Sequence, residues 1–205
     1  MKIAVVCANG KAGRLITKEA LQRGLDVTAV VRRENKSDAT QAIIKDLFDL
    51  TAADLESFDV VVDAAGGWRS HTVGVIPKAA RHLCAILAGS EKRLLVVGGA
   101  GSLFVNKEHT LTVADGEDFP ESFKPLDEAH QEVLTFLRTQ TNVAWTYISP
   151  AADFRSDGER TGAGEELALN ARGESTISYA DYTIAFVDEI VSSKHPNERI
   201  SVVSK

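Results

Sequence analysis

The sequence contains few of the residues that would place it outside ordinary globular proteins. It has two cysteines, one methionine and five prolines in 205 residues. Cys7 and Cys84 both lie in apolar stretches and lack the spacing of metal ligands. We therefore expect neither a disulfide framework nor a cysteine metal site, and we interpret both residues as buried thiols of a reducing compartment. The five histidines are scattered along the chain, so no metal is expected.

An excess of positive charge is also missing. Acidic residues outnumber basic ones by 29 to 23, and the net charge is -6. No overall positive field attracts nucleic acid or anionic lipid, so neither is an expected partner. The longest uncharged stretch, residues 94–106, is too short to span a bilayer, and the amino terminus lacks a signal-peptide pattern. We expect a cytoplasmic monomer or homodimer whose partner is a small-molecule acceptor.

Strand-like runs rich in Val and Ile alternate with helical patterns along most of the chain. Strands are predicted at residues 2–7, 26–31, 42–45, 60–63, 94–97, 144–148 and 200–203. Longer helices are predicted at residues 12–23, 73–87 and 126–138. A short third helix should begin at the Thr51 and Asp54 capping pair, and a last helix at Ser178 and Asp181. This alternation predicts a single Rossmann-like α/β domain over residues 1–205, with a doubly wound parallel sheet and helices on both faces.

Two segments, residues 98–125 and 150–174, interrupt the alternation. Both follow the carboxyl ends of predicted strands, where ligands bind in an open parallel sheet. We therefore predict that these segments hold the substrate.

The stretch CANGKAGRL joins the first strand to the first helix. Gly10 and Gly13 have the spacing of the last two glycines of a dinucleotide fingerprint. The first would let backbone approach a pyrophosphate, and the second would let helix and strand pack closely. Amides around Lys11 and Ala12 would then bind phosphate oxygens. A purely structural glycine turn is the alternative interpretation.

The second predicted strand ends in Arg32 and Arg33. NAD sites place an acidic residue about 20 residues past the fingerprint, whereas NADP sites place an arginine there for the 2′-phosphate. The positive charge of this pair favours NADP(H) over NAD(H) as the cofactor. A solvated basic pair at a strand end is the alternative.

Five segments together resemble the atypical short-chain dehydrogenase/reductases of the NmrA-like type, and within them the Rrf2-linked NADH-flavin reductases. The resemblance covers nearly the whole chain, although the family's usual GATGxxG differs here at Cys7 and Asn9. The segments are MKIAVVCANGKAGRLITKEALQRGLDVTAVVRR at residues 1–33, KDLFDL at 45–50, DVVVDAAGG at 59–67, RLLVVGGAGSL at 93–103 and WTYISPAADFRSDGERTG at 145–162.

This resemblance implies further cofactor contacts after successive strands. It places one pair beside the adenine, small residues beside the ribose, and glycine, proline and alanine residues at the nicotinamide. These residues are Asp46 and Leu47, then Ala64, Ala65 and Gly66, then Gly98 and Gly99, then Pro150 and Ala151. For Asp46 a simple capped turn is the alternative, and for Gly66 a structural role.

Many relatives reduce carbonyls with a tyrosine and a lysine spaced YxxxK, and none of the three tyrosines here has that lysine. Ser102 is a weak candidate for the family's serine after the fifth strand. Hydride transfer from a reduced nicotinamide to a flavin needs ring stacking but little acid catalysis. The residues predicted to cover such a substrate are Trp68, His71, Phe104, Phe154 and Arg155.

Three functions are consistent with these features. The first is an NAD(P)H-dependent oxidoreductase that transfers hydride to a flavin or a similar conjugated acceptor. The second is a redox sensor of the NmrA type that binds NADP without turnover, since a missing acid fits that function equally well. The third is an epimerase-like or dehydratase-like protein, which the missing YxxxK pair disfavours.

Overall fold

A computed structural model describes residues 1–155 and 161–204. The central elements are six strands and four helices, and the second, third and fourth strands follow one another without an α-helix between them. They are β1 (Lys2–Val6), α1 (Lys11–Gln22), β2 (Asp26–Val31), β3 (Gln41–Ile44), β4 (Val60–Asp63), α2 (Val75–Leu87), β5 (Arg93–Val97), α3 (Lys124–Leu137), β6 (Ala144–Ser149) and α4 (Tyr179–Ser192). Four further strands are β7 (Asp153–Arg155), β8 (Thr161–Ala163), β9 (Thr176–Ser178) and β10 (Glu198–Val203).

The main sheet has the strand order β3-β2-β1-β4-β5-β6-β10-β8. Its first seven strands are parallel, and β8 pairs with β10 in the antiparallel sense. The chain runs outward from β1 to β3 and then returns to β4 on the other side of β1. The switch point of the fold therefore lies between β1 and β4, where an open sheet forms its ligand crevice.

Apolar side chains cover both faces of the sheet, as the continuous apolar strands predict. On one face α2 and α3 pack over a core that includes Leu83, Leu94 and Trp145. On the other face α1 and α4 contact each other over a core that includes Ile16, Tyr182 and Phe186. The predicted Rossmann-like α/β fold is confirmed.

Most element boundaries agree with the sequence pattern to within two residues. Gly24 has φ +74°, so it forms the left-handed turn predicted after the first helix. The Ser178 hydroxyl accepts a hydrogen bond from the Asp181 amide (2.9 Å) at the start of α4, as the capping pair predicts.

The predicted short third α-helix is wrong. The chain instead forms two 3₁₀ turns, Leu47–Asp49 and Ala53–Leu55. Asp46 caps the first turn, and Thr51 and Asp54 exchange hydrogen bonds at the start of the second. The capping pair is therefore real, but the segment is too short to add α-helical turns before Phe58 enters the core.

Small elements also occupy the two long segments that sequence patterning left irregular. The first contains the 3₁₀ turns Val113–Asp115 and Glu121–Phe123, and the second contains β7 and β8. These strands pair with distant partners, β7 with β9 and β8 with β10. A three-residue strand with a remote partner leaves little local signal, which is why neither was predicted. None of the helices in the described part of the chain has the length and apolar character needed to cross a bilayer.

Helix α1 packs closely against the turn after β1 because Gly13 has no side chain. A Cβ atom at Gly13 would lie 2.6 Å from the Cys7 carbonyl oxygen and 2.9 Å from the Ala8 Cα atom. Both neighbours are backbone atoms, which cannot move without shifting the whole strand or helix.

We expect Gly13→Ala to lower the free energy of unfolding by about 1–3 kcal/mol, the usual cost of overpacking. Gly74→Ala is the matched control, because Gly74 is right-handed helical and its Cβ would meet nothing within 4 Å. That control should change stability by less than about 0.5 kcal/mol. Urea denaturation of both variants measures the difference, and equal stabilities would contradict the tight packing at Gly13.

Candidate dinucleotide site

A large cleft opens at the carboxyl ends of the parallel strands, and its volume is about 1970 Å³. Segments that follow β1, β2, β3, β4, β5 and β6 all contribute to its walls. The cleft therefore lies at the edge of the sheet where an open α/β fold binds its ligand, and it is centred on the switch point.

Seventeen of the predicted cofactor and substrate residues line this cleft. They are Gly10, Lys11, Ala12, Arg32, Arg33, Asp46, Leu47, Ala64, Ala65, Gly66, Trp68, His71, Gly98, Gly99, Pro150, Ala151 and Phe154. Gly13 lies behind the lining, where it performs the close helix packing described above.

The turn after β1 has the shape of a phosphate-binding loop. The Gly10 amide donates a hydrogen bond to the Cys7 carbonyl (2.9 Å), and Gly10 caps α1. A Cβ atom at Gly10 would lie 3.2 Å from the Cys7 oxygen, so a side chain there would crowd the loop. The first amides of an α-helix have no partners within the helix, and the helix dipole favours an anion beside them. Lys11 and Ala12 therefore present free amides to the cleft, which fits a pyrophosphate.

Cys7 stands where such loops commonly have glycine, and its backbone explains that preference. Its φ is +61°, in the left-handed region that side chains other than glycine rarely adopt. Burial raises the pKa of the Cys7 thiol to about 12, and the Asp63 carboxylate contributes to that rise. Cys7 is therefore a packed, protonated residue rather than a reactive thiolate.

Asn9 joins the glycine loop to the segment after β2. Its side-chain amide donates to the Glu34 carbonyl (2.9 Å), and its side-chain oxygen accepts from the Lys36 amide (2.7 Å). Arg32 and Arg33 lie in the segment held in this way, exposed at the cleft wall. Asn9 thus fixes the basic pair relative to the phosphate loop, a role that sequence reasoning missed.

The middle of the cleft is formed by the segments after β3 and β4. The Asp46 carboxylate accepts a hydrogen bond from the Phe48 amide (3.0 Å), which is the capped turn that was the alternative interpretation. Leu47 is buried beside it. Ala64 and Ala65 are also buried, whereas Gly66 is exposed with open space around its Cα atom. Small residues here let a ligand lie directly against backbone.

Gly98 and Gly99 lie directly against two buried rings. A Cβ atom at Gly98 would lie 2.5 Å from the Tyr147 ring, and one at Gly99 would lie 2.8 Å from the His130 ring. The Gly99 amide donates to the Tyr147 hydroxyl (2.9 Å), which lies 3.2 Å from Nδ1 of His130. Burial lowers the pKa of His130 to about 4, so its ring is neutral at neutral pH. Close packing therefore requires both glycines and leaves flat backbone facing the cleft.

The opposite wall carries an aromatic stack. The Phe154 and Tyr179 rings are nearly parallel with centroids 3.8 Å apart, and the Lys11 ammonium lies 3.6 Å from the Tyr179 centroid. Pro150 and Ala151 precede this stack, just after the end of β6. Tyr179 was not predicted, because its contact with Lys11 joins residues far apart in the chain.

Two predicted residues do not reach the cleft. The Arg199 guanidinium donates to both the carbonyl and the hydroxyl oxygen of Ser102 (2.9 and 3.0 Å), which holds Ser102 outside the lining. Phe104 also lies away from the cleft, stacked on His109 with centroids 4.6 Å apart. The side chain of Arg155, which like Phe104 was predicted to cover the substrate, lies outside the described part of the structure.

Several cleft residues were not singled out from the sequence. Helix α3 and the segment before it contribute Phe119, Phe123, Leu126, Asp127 and His130. The helical spacing of Leu126, Asp127 and His130 is consistent with one face of α3 turned to the cleft. That spacing could have identified the side of α3 that faces the cleft, but an acidic residue on an amphipathic helix is usually an ordinary surface residue.

These features define a Rossmann-type dinucleotide-binding protein. The sequence model of the NAD(P)H-binding family matches residues 7–189, so the chain belongs to that family. The match covers the phosphate loop, all of the cleft lining except Val6, and most of α4.

Individual relatives extend over the whole chain. The uncharacterized protein YwnB of Bacillus subtilis is 44% identical, over 100% of this chain and 99% of its own. A Streptococcus pneumoniae structure described as a candidate NADH-flavin reductase is 47% identical over 100% of both chains, with a TM-score of 0.96. A Bacteroides thetaiotaomicron structure described as a candidate epimerase is 31% identical, over 99% and 96% of the two chains, with a TM-score of 0.84.

A buried carboxyl group lies beneath the cleft at the end of β4. Asp63 is 3% exposed, and burial raises its pKa to about 7, although its carboxylate accepts a hydrogen bond from the Ala65 amide (3.0 Å). Between about pH 4 and pH 7 the folded protein therefore binds a proton that the unfolded chain has released. Stability should fall as pH rises through this interval and stay lower above it.

We expect Asp63→Asn to remove this pH-dependent loss of stability. The amide oxygen of Asn can still accept the hydrogen bond from the Ala65 amide, and the side chain carries no charge. The difference in Tm between variant and wild type should grow from about pH 5 to pH 7.5. Asp115→Asn is the control, because hydrogen bonds from Thr112 hold the Asp115 pKa below its usual value. Its Tm difference should stay constant over the same range. A constant difference for Asp63→Asn as well would contradict the raised pKa.

Proposed function

We propose that the protein is an NAD(P)H-dependent oxidoreductase that transfers hydride to a flavin or a similar flat conjugated acceptor, and that NADPH is the preferred donor. A bound dihydronicotinamide supplies the hydride. The protein binds the dinucleotide along the strand ends, orients its ring against backbone and keeps space open for the acceptor. We also propose that the protein belongs to the NmrA-like group, close to the NADH-flavin reductases.

The observation that carries this proposal is the composition of the cleft around Gly98 and Gly99. Its surface there is backbone and small residues, with aromatic side chains on either side. A flat ring can lie against such a surface at the short distance that hydride transfer needs. The Streptococcus relative described as a candidate NADH-flavin reductase supports the same reaction.

The three tyrosines, all of which lie in the described part of the chain, support the proposal too, because none is placed as a carbonyl-reducing acid. Tyr147 and Tyr182 are fully buried, and burial raises the pKa of both hydroxyls. The Tyr182 hydroxyl donates to the Ile148 carbonyl (2.8 Å) inside the core. Tyr179 does line the cleft, but Lys11 contacts the face of its ring. A flavin acceptor needs no such acid, whereas an epimerase or dehydratase does.

A non-catalytic NADP-binding sensor is the rival, and acceptor-dependent turnover separates the two. Purified protein with NADPH should oxidise it only slowly alone and much faster when riboflavin, FMN or a quinone is added. Absorbance at the NADPH band measures the rate, with heat-denatured protein as the control. Tight NADPH binding without acceptor-dependent oxidation would reject the reductase and favour the sensor.

The preference for NADPH rests on Arg32 and Arg33, which are exposed beside the phosphate loop. Neither guanidinium has a hydrogen-bond partner among the described residues, so both are free to bind a 2′-phosphate. A charge-assisted hydrogen bond contributes about 1.5–3 kcal/mol.

We therefore expect Arg32→Asp to weaken NADPH binding by about ten- to a hundredfold and NADH binding much less, measured by titration calorimetry. Lys107→Asp makes the same change in net charge at an exposed site outside the cleft lining. This control should leave the ratio of the two affinities unchanged. Equal losses for both nucleotides in Arg32→Asp would exclude the 2′-phosphate contact.

A further inference from the structure

One end of the cleft forms a recess between the segment after β4 and the start of α3. We call it the aromatic recess. Its lining residues are Trp68, His71, Phe119, Phe123, Leu126 and Asp127. It shares the cleft with Gly98 and Gly99 but contains neither the glycine loop nor the basic pair.

The recess exposes two large aromatic side chains. Trp68 is 68% exposed and Phe123 is 44% exposed, yet the two rings contact each other edge to face with centroids 6.5 Å apart. They come from segments far apart in the chain. Exposed aromatic side chains that meet at the mouth of a cavity are typical of a ligand site, because leaving that apolar surface in water is unfavourable.

The same recess contains a carboxyl group with an unsatisfied atom. Asp127 is 8% exposed, and its Oδ2 accepts a hydrogen bond from the Gln131 side-chain amide (2.7 Å). Its Oδ1 is buried without a hydrogen-bond partner in the described part of the chain. Gly101 leaves the space that this oxygen occupies, since a Cβ atom there would overlap it. Burial also raises the pKa of Asp127.

We propose that the aromatic recess is the acceptor subsite, an inference that rests on the hydride transfer proposed above. Trp68 and Phe123 pack against a flat conjugated ring system, and the unpaired Oδ1 of Asp127 forms a hydrogen bond with a polar group at the edge of that system. The recess thereby holds the acceptor on the side of the cleft opposite the Phe154 and Tyr179 stack.

None of the six residues that define the recess is a lysine or an arginine, and the basic residues of the cleft lie in other segments: Lys11, Arg32, Arg33, Lys36, Lys45 and Lys78. It therefore recognises the ring and not a phosphate attached to it. The acceptor class is a planar ring system with carbonyl or imide groups, such as an isoalloxazine or a quinone. Riboflavin and FMN should bind with affinities within about threefold of each other, because an ion pair with the FMN phosphate would be needed for a larger preference.

Binding is measured on the protein loaded with NADP+, which has no hydride to transfer, so that affinity is separated from turnover. The probe is riboflavin, followed by the quenching of its own fluorescence. Trp68→Ala and Phe123→Ala should each weaken riboflavin binding about five- to tenfold, the effect of losing one aromatic contact. Leu111→Ala, which removes a 53% exposed side chain outside the cleft lining, is the control and should have no effect. Thermal melting and NADP+ affinity verify that each variant is folded.

Asp127→Ala should weaken riboflavin binding, and Asp127→Asn should restore most of it, because the amide keeps a hydrogen-bonding atom at that position. In turnover, these variants should change the KM for riboflavin more than kcat. A structural role alone would lower stability in both variants without this difference.

The outcomes separate the two proposals. If wild type reduces riboflavin but Trp68→Ala and Phe123→Ala bind it normally, the subsite is wrong and the reductase stands. If riboflavin binds through Trp68 but no acceptor is reduced, the subsite stands and the reductase is wrong. A failure of both riboflavin and a quinone to bind the NADP+-loaded wild type overturns the subsite, as does a roughly tenfold preference for FMN over riboflavin.

Discussion

The contact between Gly13 and the backbone of the turn after β1 sets the geometry on which the cleft depends. Because α1 approaches this turn so closely, its free amino-terminal amides face the opening between β1 and β4. The left-handed conformation of Cys7 turns the chain after β1, and Gly10 then caps the start of α1. The central position of β1 in the sheet then brings the ends of its neighbours around the same opening. A bulkier residue at Gly13 would displace the helix and the phosphate loop together.

The cleft divides into chemically different ends along the sheet. Basic side chains that follow β2 and β3 suit the phosphate groups of a dinucleotide, whereas the aromatic pair of Trp68 and Phe123 lies in the segments after β4 and before α3. A second aromatic pair, Phe154 and Tyr179, lies after β6 and at the start of α4. The segments that directly follow β4, β5 and β6 begin with small residues, so a long ligand with a charged end and a flat aromatic end has one favourable orientation.

The sequence predicted the sheet well because its strands are buried on both faces and read as continuous apolar runs. It also located the phosphate loop and most small residues of the cleft, since glycine and alanine after a strand are local signals. Trp68 was predicted in the cleft, but its contact with Phe123 joins residues far apart in the chain and has no local pattern. Asp127 was missed because one acid on an amphipathic helix is common. Ser102 and Phe104 were misplaced because Arg199, at the far end of the chain, determines where they lie.

Arg199 has a wider consequence for how the protein can diverge. Its side chain is 1% exposed, and it donates hydrogen bonds to Ser102 in one long segment and to the Glu165 carbonyl in the other (3.0 and 2.8 Å). The Glu165 carboxylate also forms an ion pair with Arg138, which follows the last residue of α3 (2.6 Å). The two long segments are thus anchored to a buried cation on β10. Insertions or deletions in either segment would have to preserve that anchor, so relatives with new acceptors should change side chains at the cleft more readily than loop lengths.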